Sequence, residues 1–386
     1  MKSKIIALAV LTAVVLSGCS ESGGNSGSSS DKINSISSSS TESTVQSTQS
    51  SYSGAPTVIA PNFVSSSVSE KSTPNEEQST SSEVQSVISE TSSSESSVVT
   101  SVESPVGAED VPDCEMRTIN SGENMTVDGS LSIGKSARLR VEGTLYVSGT
   151  ITIKEDGALE LIDGGNLIMT SENALIDGVG RVNVGENFDQ INCEVGTIKT
   201  RITPPEQVVK DGVTTVGGIV IANKAISLPP EYGSYLSLDE VTPETYAALE
   251  EMNSNSEHQY INKSGYRSYY DQKAIFQNYC DMYGYDEADT FSSQAGHSEH
   301  QTGLTMDLDA FEESYGETPE GIWLAENCWR YGFIIRYPKG KEEITGYTYE
   351  PWHVRYLGKS TAKLVYDSGL TLEEFLNVEG GTTVID

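Results

Sequence analysis

Residues 143–161 read GTLYVSGTITIKEDGALEL. A small residue is followed by two apolar residues spaced by two, first as Gly143-x-Leu145-x-Val147, then as Gly149-x-Ile151-x-Ile153 and Gly157-x-Leu159-x-Leu161. The same unit precedes this stretch at Gly129-x-Leu131-x-Ile133 and Ala137-x-Leu139-x-Val141, and follows it at Gly180-x-Val182-x-Val184. Alternation at period two buries one face of a strand, and the Gly and Asp-Gly steps between units act as turns. Strands this short, returning every six to eight residues or so, predict a small β-solenoid over residues 108–200, with a β-sandwich as the other architecture open. No histidine-rich or carboxylate cluster marks this segment, so its expected role is spacing or binding.

Towards the N-terminus the texture changes twice. Lys2 and Lys4 precede an apolar run from Ile5 to Leu16, which has signal-peptide length and is short for a bilayer span. Leu16-Ser17-Gly18-Cys19 resembles a bacterial lipobox, which implies cleavage after residue 18 and lipidation of Cys19. From the lipidated Cys19 to residue 107 serine and threonine dominate without hydrophobic period, so ordering entropy outweighs any burial and a disordered tether is expected. A flexible chain of this length spans about 50 Å. The expected address is the outer face of the cell membrane, with reach into the wall.

The 386 residues carry a formal net charge of −32. Such a chain repels polyanions, which excludes nucleic acid as a partner and disfavours anionic wall polymers unless cations intervene. Beyond Cys19 there are four cysteines, Cys114, Cys193, Cys280 and Cys328. Outside a cell these could pair within their own domains, 114 with 193 and 280 with 328, or stay as buried thiols. None has CxxC spacing, so a thiolate metal site is not expected.

Residues 201–380 have the pattern of a mixed α+β domain. Val213 to Ala222 reads as a strand-pair region, Asp239 to Met252 as a helix with Pro243 in its first turn, and Tyr269 to Tyr283 as a second helix. Trp323 to Tyr331 reads as a third helix closed by Gly332, and Phe333 to Tyr337 as a strand stopped by Pro338.

Two of the chain's four histidines lie in unusual company. One stretch runs Ser298-Glu299-His300-Gln301-Thr302-Gly303-Leu304-Thr305-Met306-Asp307, the other Glu350-Pro351-Trp352-His353. Two imidazoles and a carboxylate form a three-ligand zinc site that leaves a position for water. Hydrolysis there also needs a carboxylate to take the proton from water, and Glu350 is placed for it. Pro351 pushes Glu350 to extended backbone, so Glu350 and His353 are expected on a loop or strand, unlike the histidines of a helical HExxH site. Gly303 lets the chain turn between His300 and Asp307. His258, in Ser256-Glu257-His258-Gln259, imitates the start of the motif but lacks the following Gly and Asp, and His297 is given no metal role.

Residues of about 215 to 378 resemble the D-alanyl-D-alanine carboxypeptidase family typified by the VanY enzymes, with its L,D-carboxypeptidase relatives. The resemblance rests on Ser264-Gly265-Tyr266-Arg267-Ser268, the 298–307 stretch, Tyr331-Gly332-Phe333-Ile334-Ile335-Arg336-Tyr337-Pro338, and Thr345-Gly346-Tyr347 leading to Glu350-Pro351-Trp352-His353-Val354-Arg355-Tyr356. Thr305 departs from the family's frequent Ala and removes no ligand. The resemblance implies an α+β zinc peptidase domain with a small antiparallel sheet and flanking helices. It implies that His300, Asp307 and His353 hold zinc, that Glu350 is general base and then acid, and that Arg267 stabilises the oxyanion. Gln272 and Ser298 would help hold the peptide end. The implied substrate is the terminal D-Ala bond of peptidoglycan stem peptides, as D,D-carboxypeptidase or as L,D-carboxypeptidase on tetrapeptides. A silent wall-binding lipoprotein and a non-haem iron site, which two histidines and one carboxylate also suit, are the readings from other classes. Oligomeric state is not legible.

Overall fold

Strand pairing decides between the two β architectures. In the computed structural model, which describes residues 108–162 and 164–381, the repeat strands pair in parallel with every third strand along the chain. The expected leader, the lipidated Cys19 and the Ser/Thr-rich tether lie outside the described residues. One sheet holds Met116–Ile119, Arg138–Val141, Ala158–Leu161, Arg181–Asn183 and Arg201–Thr203. The second holds Asn124–Val127, Thr144–Val147, Asn166–Met169 and Ile191–Asn192, and the third Ser130–Ile133, Thr150–Ile153, Leu175–Gly178 and Thr197–Ile198. Each coil thus gives one strand to each sheet, which is a β-solenoid and not a sandwich.

The register stacks like on like. Leu139 pairs with Leu159, Leu145 with Leu167 and Ile151 with Ile176, all with no exposed surface. Burying such a side chain contributes about 2 kcal/mol. The corner glycines have a sharper reason than turn propensity. A Cβ on Gly149 would lie 2.0 Å from the carbonyl oxygen of Gly129, and one on Gly165 would lie 1.8 Å from that of Val141. Neither has a positive φ; the backbone of the preceding coil simply leaves no room.

After the solenoid, Gln207–Lys210, Val213–Val216 and Ile219–Val220 form an antiparallel sheet, the first turn being made by Asp211 and Gly212, both with positive φ. The C-terminal domain is α+β, as expected. Its antiparallel sheet runs in the order Asn262–Ser264, Thr305–Leu308, Glu350–Tyr356, Phe333–Tyr337. Around it lie the helices Pro243–Ser254, capped by Thr242, and Tyr269–Tyr283, capped by Ser268. The third expected helix divides into Pro319–Asn327 and a 3-10 turn Cys328–Tyr331, which Gly332 ends in the left-handed region.

The helices Lys359–Ser368 and Leu372–Leu376 carry the solenoid. Phe188, Ile191, Cys193 and Ile198 share one apolar core with Ala362, Leu364, Val365 and Phe375. The rings of Phe188 and Phe375 are 5.3 Å apart, and the Cys193 amide donates to Ser360 Oγ at 3.1 Å. The peptidase-like domain therefore caps the last coil. The within-domain disulfides entertained from the sequence are not formed: all four cysteines are free. Cys193 is spent on the solenoid core, and Cys328 donates its thiol to the carbonyl of Phe333.

Candidate active site

Asp307 and His353 are brought together by register. They face each other directly across neighbouring antiparallel strands, where opposed side chains stand about 5 Å apart. The strand carrying Glu350 and His353 is extended from its first residue, as Pro351 requires. His300 arrives from a different element, the 3-10 turn Glu299–Thr302, which Gly303 terminates with φ of 69°.

The resulting cluster is buried. His300 Nε2 lies 3.2 Å from Asp307 Oδ2, and His353 Nδ1 lies 3.0 Å from Asp307 Oδ1. One donor atom from each of His300, Asp307 and His353 falls within 4.8 Å of the others. The far side of His300 is fixed, because its Nδ1 hydrogen-bonds the Gly265 carbonyl at 2.7 Å. That bond leaves Nε2 as the ligand atom and holds the ring in its tautomer. Burial lowers the pKa of His300, with Asp307 partly offsetting it, so the neutral imidazole that a metal needs is favoured. Burial opposes the Asp307 carboxylate, but His300 and His353 outweigh it and hold the carboxyl well below its ordinary range. Two imidazole nitrogens and one carboxylate oxygen fit a three-ligand zinc site.

Glu350 Oε2 is 3.3 Å from His353 Nδ1. Burial, reinforced by the charge of Asp307, raises its pKa well above the ordinary value, while Arg267 and Lys224 pull the other way. A carboxylate so placed both accepts and returns a proton readily. Arg267 is held by two bonds, Nη1 to Gln272 Oε1 at 2.7 Å and Nη2 to Ser264 Oγ at 2.9 Å. Gln272 uses the other end of its amide on the Ser293 carbonyl at 2.5 Å. Gln272, buried, thus links Arg267 to the 292–293 segment. Ser298 is buried immediately before the turn that presents His300. His258 sits apart, with Nε2 at 2.6 Å from Asp309 Oδ2, and His297 Nδ1 bonds the Asn223 carbonyl.

Several site residues escaped the sequence reading. Glu299 is buried beneath His353, with Oε2 at 4.0 Å from Nε2, an atom with no hydrogen-bond partner among the described residues. Its Oε1 accepts from Arg336 Nε at 2.9 Å and Arg355 Nη1 at 2.7 Å. Glu373 supplies Arg336 with a second carboxylate. Lys224, also buried, pairs with Asp289 at 3.1 Å and lies 4.2 Å over the ring of Tyr347. Tyr337 packs its ring 4.7 Å from that of His353. Only Arg336 and Arg355 gave a sequence signal, as charged residues inside otherwise apolar strands; Glu299 lies in a 3-10 turn and Glu373 in a helix.

Comparison with known proteins places this domain. The family model for VanY, D-alanyl-D-alanine carboxypeptidase, matches residues 236–359. The YodJ protein of Bacillus subtilis (strain 168) is 40% identical over 198 residues, a match covering 43% of this chain and 70% of that one. A D-alanyl-D-alanine carboxypeptidase of Enterococcus faecalis is 43% identical over 127 residues, covering 30% of this chain and 47% of its own length. Among solved structures, an L,D-carboxypeptidase DacB from Streptococcus is similar at 36% identity and a TM-score of 0.40, covering 47% of this chain and all of that one. The matched segment contains all three converging donors together with Glu350 and Arg267. With that span and the similarity to YodJ, the chain belongs to the VanY family of D-alanyl-D-alanine carboxypeptidases.

Proposed function

We propose that this protein is a zinc carboxypeptidase that removes the terminal D-Ala from peptidoglycan stem peptides, with the D,D-bond of the pentapeptide as its main substrate. The observation that carries the reading is the convergence of His300 Nε2, Asp307 and His353 Nδ1 with the Glu350 carboxyl 3.3 Å from the last of them. His300, Asp307 and His353 would hold the ion, and when bound a zinc ion supplies Lewis-acid polarisation of the scissile carbonyl and a more acidic water. Glu350 takes the proton from the attacking water and then delivers it to the departing D-Ala nitrogen. The Arg267 guanidinium, fixed by Gln272 and Ser264, opposes the negative charge that develops on the carbonyl oxygen. Closure of the site by buried side chains strengthens each of these interactions.

Export and lipidation at Cys19 complete the proposal, placing the enzyme on the outer membrane face with a Ser/Thr-rich tether. Globomycin-sensitive processing and metabolic labelling with a fatty acid would test that address. The reaction is tested by mass spectrometry of pentapeptide and tetrapeptide muropeptides incubated with zinc-loaded protein. Loss of one D-Ala from the pentapeptide supports the D,D-assignment; trimming of the tetrapeptide alone replaces it with the L,D-bond. Glu350→Ala should abolish release while the protein still binds zinc, and full activity in that variant would overturn the mechanism.

A further inference from the structure

The solenoid carries one basic face in a strongly acidic chain. Of the nine arginines in the sequence, Arg138, Arg140, Arg181 and Arg201 all lie in a single sheet. Their neighbours Leu139, Val141 and Val182 are buried, so the arginines occupy the outward positions of their strands. The strands of the other two solenoid sheets contain no Lys or Arg. Glu160 is the one acidic residue on the outward positions of the basic sheet, and it pairs with Arg138 at 3.1 Å and Arg140 at 3.8 Å. Arg181 and Arg201 are register partners on adjacent parallel strands, and neither forms an ion pair with a carboxylate among the described residues. Like charges directly opposite one another destabilise a sheet unless something anionic lies between them.

We infer that this face binds a linear anionic polymer whose charges are phosphodiesters. The strip is two outward residues wide, and its five strands extend over about 19 Å at normal strand spacing. Guanidinium forks suit phosphate oxygens in a bidentate way that a lysine does not. A thin polymer can lie along the strip and touch nothing else. A bilayer or a nucleic-acid duplex would also press its charge against the rest of a chain of net charge −32. A single nucleic-acid strand would find no aromatic platform, because the remaining outward positions are Met116, Thr118, Ala158, Asn183 and Thr203. The net charge of −32 therefore does not exclude every anionic wall polymer: repulsion acts on the whole chain, attraction on this strip.

The probe is fluorescently labelled poly(glycerol phosphate), titrated with the full chain at several salt concentrations. The wild type should bind, with affinity falling as salt rises. Arg181→Gln/Arg201→Gln should bind at least about tenfold more weakly, with the slope of log affinity against log salt reduced by about two. Both side chains lie outside the core, and an unchanged circular dichroism spectrum confirms the fold. Arg181→Lys/Arg201→Lys, which keeps the charge, should retain the salt slope while losing part of the affinity. Hydrolysis of a small soluble stem peptide should be unaffected by either pair of substitutions. No binding by the wild type, full binding by the glutamine variant, or tighter binding to phosphatidylglycerol vesicles or an oligothymidylate than to the polymer would each overturn the inference.

Discussion

Replacing Glu299 by glutamine tests whether the buried ion network supports the metal ligands. The carboxylate accepts from Arg336 and Arg355 and faces the unpartnered nitrogen of His353. In Glu299→Gln, Arg336 keeps Glu373, but Arg355 exchanges its carboxylate for a neutral amide oxygen beside the carbonyls of Val220 and Tyr356. Breaking a buried pair costs about 3–5 kcal/mol, and the surviving amide acceptor puts this case near 3. The acid behaviour gives the same size. Burial opposes ionisation of Glu299, but Arg336 and Arg355 pull its pKa down to about 2. A carboxyl so depressed contributes stability that is fully present above its unfolded value and is lost as pH falls through about 2. The difference from the unfolded value of about 4.3 again corresponds to about 3 kcal/mol. Thermal melting of metal-free protein at neutral pH should therefore drop by about 6 °C or more in Glu299→Gln. The variant should also lose the part of the acid destabilisation that lies between about pH 4.5 and 2. Where the variant is still folded, zinc affinity measured against a chromogenic chelator should fall about tenfold or more, because the carboxylate behind His353 has become a neutral amide. A variant with unchanged melting temperature and unchanged zinc affinity would refute the reasoning.

Gln272→Ala frees the Arg267 guanidinium and should lower kcat about tenfold with little change in KM, against about a hundredfold or more for Arg267→Ala, as steady-state kinetics on a stem peptide will show. Gly165→Ala drives a Cβ to within 1.8 Å of the Val141 carbonyl and should cost about 3 kcal/mol in urea unfolding. Gly164→Ala, with positive φ and open space around it, should cost only about 1–2. Chelation of bound metal should lower the melting temperature of the wild type, and re-addition of zinc should restore it in Glu350→Ala as well, since that residue is not a ligand.

The sequence was most legible where local chemistry and global fold agree. The helix Tyr269–Tyr283 was bounded correctly because Ser268 caps it and Gly284 ends it. The preceding helix began four residues later than expected, since Asp239 adopts a positive φ and the capping residue is Thr242. In the solenoid the period-two pattern sufficed, but nothing local says that strands three apart will pair. The three donor residues were legible as a motif. Glu299 was not, because its partners lie 37 and 56 residues away. Cysteine spacing likewise carried no information about whether the side chains would meet.

The coil geometry has an evolutionary consequence. Arg138 lies beside Ala158, 20 residues on, so one coil is about that many residues. The last coil is welded to the catalytic domain through Phe188 and Phe375, while among the described residues the first coils have no such commitment. Length changes in this lineage should accordingly be quantised: gain or loss of whole coils at the N-terminal end, each displacing the attachment point by one strand spacing of about 4.8 Å, and no tolerated fractions between.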